Sequence, residues 1–379
     1  MPRRRQLPLD PQKSAAIAGL RYGGHECAGI TRQKRGKGFV YLDDGKPVRD
    51  PETLARIRSL VLPPAWAQVW ICRDPLGHLQ AVGYDTRGRR QYRYHPTYRQ
   101  IRNLTKFERM PNVVAAIATA RMKAHEHLAL TGMPREKMLA ALIRLLDVTG
   151  MRIGNEESAA ENHTYGLTTL RNQHVEVEGA TLRFHFTGKS GVKQEMEITD
   201  RRLARIVRQC HDLPGQQLFQ YVDETGNPRS VSSSDVNDYL RDAAGEALTA
   251  RDFRTWAGTV ECAVALRNIG ESSCETDAKK NVAAAIKTAA AKLGNRVATC
   301  RAYYVHPAVP DAYMEGTLLQ TMAKAEEAAA EGLSPKELSE DERAVLAVVR
   351  RYRPVPAELA PVRRSSAETT APPGIRDAA

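Results

Sequence analysis

Hydrophobic positions in the first hundred residues alternate instead of recurring every third or fourth place. In RGKGFVYLDDGK, Phe39 and Tyr41 flank Val40, and the run stops at Asp44-Gly45, a pair suited to a tight hairpin turn. The stretch WAQVWICRDPLGHLQAVGYDTRGRRQYRYHP repeats the pattern. It offers Val69 and Ile71, a turn over Pro75 to Gly77, Leu79 to Tyr84, a second turn at Gly88, and Gln91 to His95. Short strands joined by tight turns predict a small antiparallel sheet.

From about residue 97 the period changes. In PREKMLAALIRLLDVTG, Met138, Leu142 and Leu145 fall at helical spacing, Leu139 and Leu146 widen the stripe, and Gly150 is placed to cap the end. Alternation returns over 174–198, where Leu182, Phe184 and Phe186 and then Val192, Gln194, Met196 and Ile198 predict a three-stranded meander with Lys189-Ser190-Gly191 at one tip. Further helices are expected over 200–212, 234–249, 254–268, 276–293, 312–331 and 335–352. The pattern predicts an α+β chain: a basic arm (1–19), a β-rich N-terminal domain (20–96), a larger, mainly helical domain with one three-stranded sheet (97–311), C-terminal helices (312–352) and a tail (353–379). The tail is rich in Pro, Ala and Ser and too poor in large apolar side chains to offset ordering entropy, so disorder is expected there.

The charge is lopsided. Net charge is +12, yet residues 1–110 hold 22 Lys and Arg against 9 Asp and Glu, while the remainder holds 34 against 35. The whole surplus therefore lies in the first third, a field that steers a polyanion such as nucleic acid to one part of the molecule. Solvated surface charge would account for the same composition.

No stretch approaches the roughly 20 uninterrupted apolar residues of a membrane span, and MPRRRQLPLD has no apolar run behind its charge, so neither a membrane nor export is expected. The six cysteines, at 27, 72, 210, 262, 274 and 300, form no Cys-x-x-Cys pair and read as buried thiols of a reducing cytoplasm. His125 and His127 stand two apart on different helix faces, unlike a metal-binding i, i+4 pair, so no metal is expected.

Chemistry gathers around TCRAYYVHP, where Tyr303 and Tyr304 are adjacent after an alanine-rich helix. Such a pair usually packs. A phenol of pKa near 10 is only about 0.1% ionised at neutral pH, so a nucleophilic tyrosine needs cations or strong donors around it. If the target were a phosphodiester, two arginine forks would suit its non-bridging oxygens, and an acid would have to protonate the leaving alcohol. Arg152 follows the Gly150 cap, Arg254 lies in RDFRTWAGT, and Lys189 sits on the hairpin tip. Each also has an ordinary structural explanation: cap carbonyls attract arginine, and hairpin tips are wet.

Taken together, LDVTGMRIGNE, FTGKSGVKQE, RDFRTWAGT and CRAYYVHP, in this order, resemble the catalytic domain of type IB DNA topoisomerases of the poxvirus-like and bacterial kind, over residues 20–310. The resemblance implies Tyr304 as nucleophile with Tyr303 as its packing neighbour, and Arg152 and Arg254 on the scissile phosphate. It implies Lys189 as general acid to the 5′-oxygen, and a 3′-phosphotyrosyl intermediate that needs neither ATP, metal nor other cofactor. It further implies a two-lobed clamp on double-stranded DNA in which Gln91, Tyr92 and Tyr94 meet DNA near the cleavage site and Arg89, Arg90 and Arg93 contact phosphates. A monomer acting in the cytoplasm with the nucleoid is expected.

One position departs from the poxvirus-like pattern. Where that pattern has histidine, nine residues before the nucleophile, this chain has Asn295, which keeps a hydrogen-bond donor but carries no charge. Two alternatives stand beside the topoisomerase. A tyrosine recombinase shares the chemistry but usually shows His-x-x-Arg where this chain has Arg251-Asp252-Phe253-Arg254. A non-catalytic DNA-binding relative is favoured by Asn295 alone.

Overall fold

The computed structural model describes residues 10–36, 38–245, 248–330 and 337–352. They form two compact units, one reaching to Glu108 and the other running from Arg109 to Tyr352. The expected tail, 353–379, and the first nine residues of the expected arm lie outside the described residues.

In the first unit, α1 (Pro11–Ile17) is opened by Asp10, whose carboxylate accepts the amides of Gln12 and Lys13. Strands β1 (Ile30–Arg35), β2 (Gly38–Asp43) and β3 (Lys46–Pro47) precede α2 (Pro51–Ser59), and β4 (Ala67–Ile71), β5 (Leu79–Tyr84) and β6 (Arg90–Tyr94) follow it. All six strands make one antiparallel sheet, ordered β3-β2-β1-β4-β5-β6. Alternate side chains of one face, Ile30, Val69, Ile71 and Ala81, bury against Ile57 of α2. The last helix of the unit, α3 (Pro96–Glu108), packs Tyr98 and Ile101 on Ala15, Ala18 and Leu20. This topology leaves β6 at a sheet edge with Arg90, Tyr92 and Tyr94 pointing to solvent.

The second unit is mainly helical. It begins with α4 (Met110–Leu128) and α5 (Arg135–Thr149), in which Met138, Leu139, Leu142, Leu145 and Leu146 are fully buried. After α6 (Glu156–Asn162) come β7 (Val175–Glu178), β8 (Thr181–Thr187) and β9 (Lys193–Thr199), the expected meander, in which Leu182 pairs with Ile198 and Phe184 with Met196. Then α7 (Arg201–His211) packs on β7 and β8. A two-stranded hairpin, β10 (Gln220–Val222) with β11 (Pro228–Ser230), leads to α8 (Ser233–Ala244), α9 (Ala250–Ile269), α10 (Glu275–Lys292), α11 (Val297–Tyr303), α12 (Ala308–Met314), α13 (Leu318–Ala330) and α14 (Glu340–Arg351).

Several expectations shift. The helix expected from 254 starts at Ala250, because the Asp252 carboxylate reaches back to accept the Thr249 amide at 3.0 Å. Its predecessor ends at Ala244, where Gly245 turns left-handed at φ 65°. The helix expected over 312–331 is two helices, α12 and α13, parted at Gly316 with φ 71°. A separate short helix, α11, follows the alanine-rich α10 and ends on Tyr303, immediately before Tyr304. The helices α1 and α2 and the β10–β11 hairpin are too short for periodicity to announce. Only three cysteines are the buried thiols expected, Cys210, Cys262 and Cys300. Cys27 lies exposed in irregular chain, Cys72 is half-buried, and Cys274 is exposed at the N-cap of α10.

Candidate active site

Arg152 is placed by a helix end and a pinned loop. Gly150, at φ 62° and ψ 19°, closes α5, and the chain then leaves the helix past buried Met151. The Arg152 carbonyl accepts the Leu167 amide at 2.9 Å, and a Cβ on Gly166 would stand 2.6 Å from that same oxygen, so only glycine permits the approach. The Arg152 guanidinium donates to the Gly294 carbonyl at 3.4 Å and to Asn295 Oδ1. Burial holds its pKa below the ordinary arginine value, partly offset by Tyr304.

Arg254 comes from the buried face of α9, with only 4% of its surface exposed. One terminal nitrogen donates to the Gly150 carbonyl and the other to Leu293 O at 2.9 Å, so it ties the ends of α5 and α10 together. Burial first, then the positive charge of Arg152, push its pKa down to about 10, which leaves it protonated at neutral pH. Its guanidinium carbon lies 5.2 Å from the centre of the Tyr304 ring.

Tyr304 follows the last turn of α11 at φ −127° and ψ −5°. Its backbone lies close against α9 because Gly258 has no side chain: a Cβ there would come within 2.7 Å of the Tyr304 carbonyl oxygen. The next residue of α9, Thr259, accepts the His306 amide on its hydroxyl at 3.0 Å, while Val305 and His306 are buried. The helix that carries Arg254 thus also seats the backbone of Tyr304. Sequence reasoning did not single out Gly258 or Thr259, although a glycine inside a helical run was a visible signal of close packing.

Asn295 completes the group. Gly294, at φ 57°, ends the α10 segment, and the Asn295 amide donates to Ala290 O at 2.8 Å. The side-chain oxygen holds Arg152, and the side-chain nitrogen is buried with no hydrogen-bond acceptor among the described residues. Among the described residues Arg254 Nε is likewise a buried donor with no well-aligned acceptor, its guanidinium facing Tyr304. Buried donors left without acceptors are costly, and two of them in one site suit an anion.

Lys189 is not part of this cluster. It sits exposed on the turn Lys189–Gly191 between β8 and β9, whose second residue, Ser190, has φ 66°. Among the described residues it makes no hydrogen bond or ion pair. The hairpin nonetheless borders the site, since a Cβ on Gly294 would meet the Gln194 side chain of β9 at 2.5 Å. Among the described residues no three His, Cys, Asp or Glu side chains gather as metal ligands would.

On the first unit, Tyr92 and Tyr94 lie stacked on the outer face of β6, ring centres 6.0 Å apart, and are 43% and 38% exposed. They are therefore not core. Arg90 shares their face and reaches the Tyr84 hydroxyl at 3.3 Å. Gln91 donates to Asp85 at 3.1 Å, and Arg89 pairs with the same carboxylate at 2.8 Å. Arg93 points to the opposite face, over the Trp66 ring at 5.4 Å. One member of the aromatic face was missed: Tyr22, 48% exposed, stacks on His78 at 4.2 Å, and His78 lies 6.0 Å from Tyr94. Nothing in the glycine-rich surroundings of Tyr22 signals this.

Residues 95–328 match the family described as eukaryotic DNA topoisomerase I, catalytic core, and residues 38–85 match bacterial DNA topoisomerase IB, N-terminal domain. DNA topoisomerase 1B of Acanthamoeba polyphaga mimivirus is 31% identical over 292 residues, covering 74% of this chain and 86% of that protein. DNA topoisomerase 1B of Vaccinia virus (strain Western Reserve) is 27% identical over 204 residues, covering 50% and 63%. DNA topoisomerase 1 of Candida albicans is 28% identical over 127 residues, covering 32% and 15%.

Proposed function

We infer the reaction from the premise that this chain belongs to the type IB DNA topoisomerases, the family its catalytic core and its mimivirus relative define. It is an isomerase of DNA. The mechanism we propose begins with attack of the Tyr304 hydroxyl oxygen on a backbone phosphorus. A P–O bond to tyrosine forms, the bond to the 5′-oxygen breaks, and the phenolic proton passes to solvent. Arg152 and Arg254 hold the non-bridging oxygens as charge builds on them, and Asn295 Nδ2 gives one further hydrogen bond. Lys189 is carried in on its hairpin to protonate the departing 5′-oxygen. The 3′-phosphotyrosyl bond conserves the energy of the diester, so the free 5′-hydroxyl reverses the step after the strand has rotated, without ATP or metal.

The observation that carries this reading is the placement of Arg254 over the Tyr304 ring, beside an Arg152 held by Asn295. The finer architecture belongs to the same proposal: a monomer whose β-rich unit, with Tyr92 and Tyr94 on its outer face, forms one jaw of a clamp on duplex DNA. Its basic residues would position phosphates without reading sequence. The test is incubation of supercoiled plasmid with the protein in EDTA without ATP. A ladder of relaxed topoisomers, with a protein–DNA adduct at the 3′ end of the nick after denaturant quench, supports the reading. Binding with unchanged linking number would return the chain to the non-catalytic alternative.

A further inference from the structure

Behind the arginine pair lies a buried polar group that the mechanism above does not use. Glu342, on α14, is 8% exposed. Its Oε1 accepts the Trp256 indole N–H at 2.7 Å and Arg121 Nη2 at 2.7 Å. Its Oε2 accepts Arg121 Nη1 at 2.8 Å and the Ser339 amide at 2.9 Å. Arg121, from α4, turns its remaining edge to Asp147 of α5, with Nε to Oδ2 at 3.0 Å and Nη2 to Oδ1 at 2.7 Å. Four helices, α4, α5, α9 and α14, thus meet at one carboxylate–guanidinium fork.

The position of this fork relative to the site matters. Trp256 lies two residues beyond Arg254, so the two side chains leave α9 about 200° apart, on nearly opposite sides. An anchor on the Trp256 side therefore sets the rotation of α9 about its axis and with it the place of the Arg254 guanidinium. Asp147 stands three residues before Gly150, whose carbonyl receives Arg254 and after which Arg152 follows. The same fork therefore grips the helix end that leads to Arg152. Glu342 itself is oriented by a reciprocal cap with Ser339 at the start of α14.

We propose that Glu342, from the helical segment that follows the nucleophile in sequence, is a positioning residue for the Arg152–Arg254 pair, acting through Trp256 and through Arg121 with Asp147. The proposal rests on the arginine roles given under Proposed function. A carboxylate that accepts four hydrogen bonds from three elements is a rigid strut, and loosening such a strut shifts reacting groups by fractions of an ångström.

The test is single-turnover cleavage of a duplex whose 5′ fragment dissociates on cleavage, with the rate constant read separately from the reacting fraction and from DNA affinity. Glu342→Ala should lower the cleavage rate constant about tenfold or more while DNA affinity stays within about twofold. Glu342→Gln, which keeps an acceptor for Trp256, should recover part of the loss. Trp256→Phe, which keeps the ring and removes only the N–H, should give a smaller loss of the same kind, and it serves if Glu342→Ala does not fold. In an Arg254→Ala background, Glu342→Ala should cause a smaller further loss than in the wild type, because the route through Trp256 no longer ends on an arginine and only the route through Asp147 to Arg152 remains. An unchanged rate constant with only a smaller reacting fraction, or an equal fold-loss in both backgrounds, would overturn the proposal. Wild-type cleavage by Arg254→Ala alone would instead overturn the arginine reading on which it rests.

Discussion

Arg254 lies over the ring of Tyr304, its guanidinium carbon 5.2 Å from the ring centre, and the same helix seats the Tyr304 backbone through Gly258 and Thr259. One rigid element thus holds both the proposed nucleophile and one of its charge-bearing partners, which reduces the reorganisation needed when charge develops at phosphorus. The adjacent Tyr303 closes the last turn of α11. Tyr304→Phe should abolish relaxation and covalent capture of DNA while leaving affinity nearly intact, and Tyr303→Phe should remain active. Plasmid relaxation and adduct formation measured side by side decide between the rings, and the reverse pattern would reassign the nucleophile.

Asn295 does two things that substitutions separate. Its oxygen holds Arg152, and its nitrogen is a buried donor with no acceptor among the described residues. Asn295→Ala removes both and should slow cleavage by a factor on the order of a hundred, the usual cost of losing an oxyanion donor. Asn295→Asp keeps the acceptor for Arg152 but puts a negative charge where the donor stood, so it should be at least as slow. An Asp variant as fast as the wild type would show that holding Arg152 is the whole role.

Lys189 stands on an exposed turn, outside the cluster formed by the other four residues. Its proposed role requires the hairpin to bring it to the 5′-oxygen. Lys189→Ala should slow cleavage of an ordinary diester strongly, and replacement of the 5′ bridging oxygen by sulfur, a better leaving group, should restore most of the rate. Equal impairment on both substrates removes the general-acid role.

The aromatic face of the first unit joins residues far apart in sequence, with Tyr22 reaching Tyr94 by way of His78. If duplex DNA lies on this face, Tyr22→Ala should weaken DNA binding as Tyr92→Ala and Tyr94→Ala do, by about 1 kcal/mol each. It should not change the cleavage rate constant at saturating DNA. Fluorescence anisotropy titration with a labelled duplex measures it, and unchanged affinity in all three variants places DNA elsewhere.

Stability should carry a signature of Glu342 at acid pH. Burial alone would raise this carboxyl, but the hydrogen bond and charge of Arg121 outweigh it and leave the pKa below its ordinary 4.5. A depressed folded-state value means that the carboxylate stabilises fully above about pH 4.5 and that this contribution fades as pH falls through the folded value. Thermal midpoints should therefore drop more steeply below about pH 4.5 for the wild type than for Glu342→Gln, and the variant should be the less stable one at neutral pH. Parallel curves would mean that Glu342 titrates as it does in the unfolded chain.

Much of the architecture was legible from periodicity. The helix ending at Gly150 and the meander through Phe184 and Phe186 appear where the spacing of apolar residues placed them, because burial of one face imposes its period on the chain. Boundaries moved where a single side chain decided them, as at the Asp252 cap and at Gly316. Strand alternation puts Tyr92 and Tyr94 on one face of β6 but does not say whether that face is wet; their exposure is a result of the packing.

The amino-acid sequence by itself determined the periods, the caps, the basic first third and the ordered set of motifs, all of which are properties of neighbours along the chain. Tertiary structure alone decided that Arg254 covers Tyr304, that Arg152 leans on Asn295, that Tyr22 joins a face begun seventy residues later, and that Glu342 braces the helices leading to both arginines. These are distances between residues that chain spacing leaves unspecified. They come from the packing of helices around a shared core, which the chain must close before any of those groups can meet.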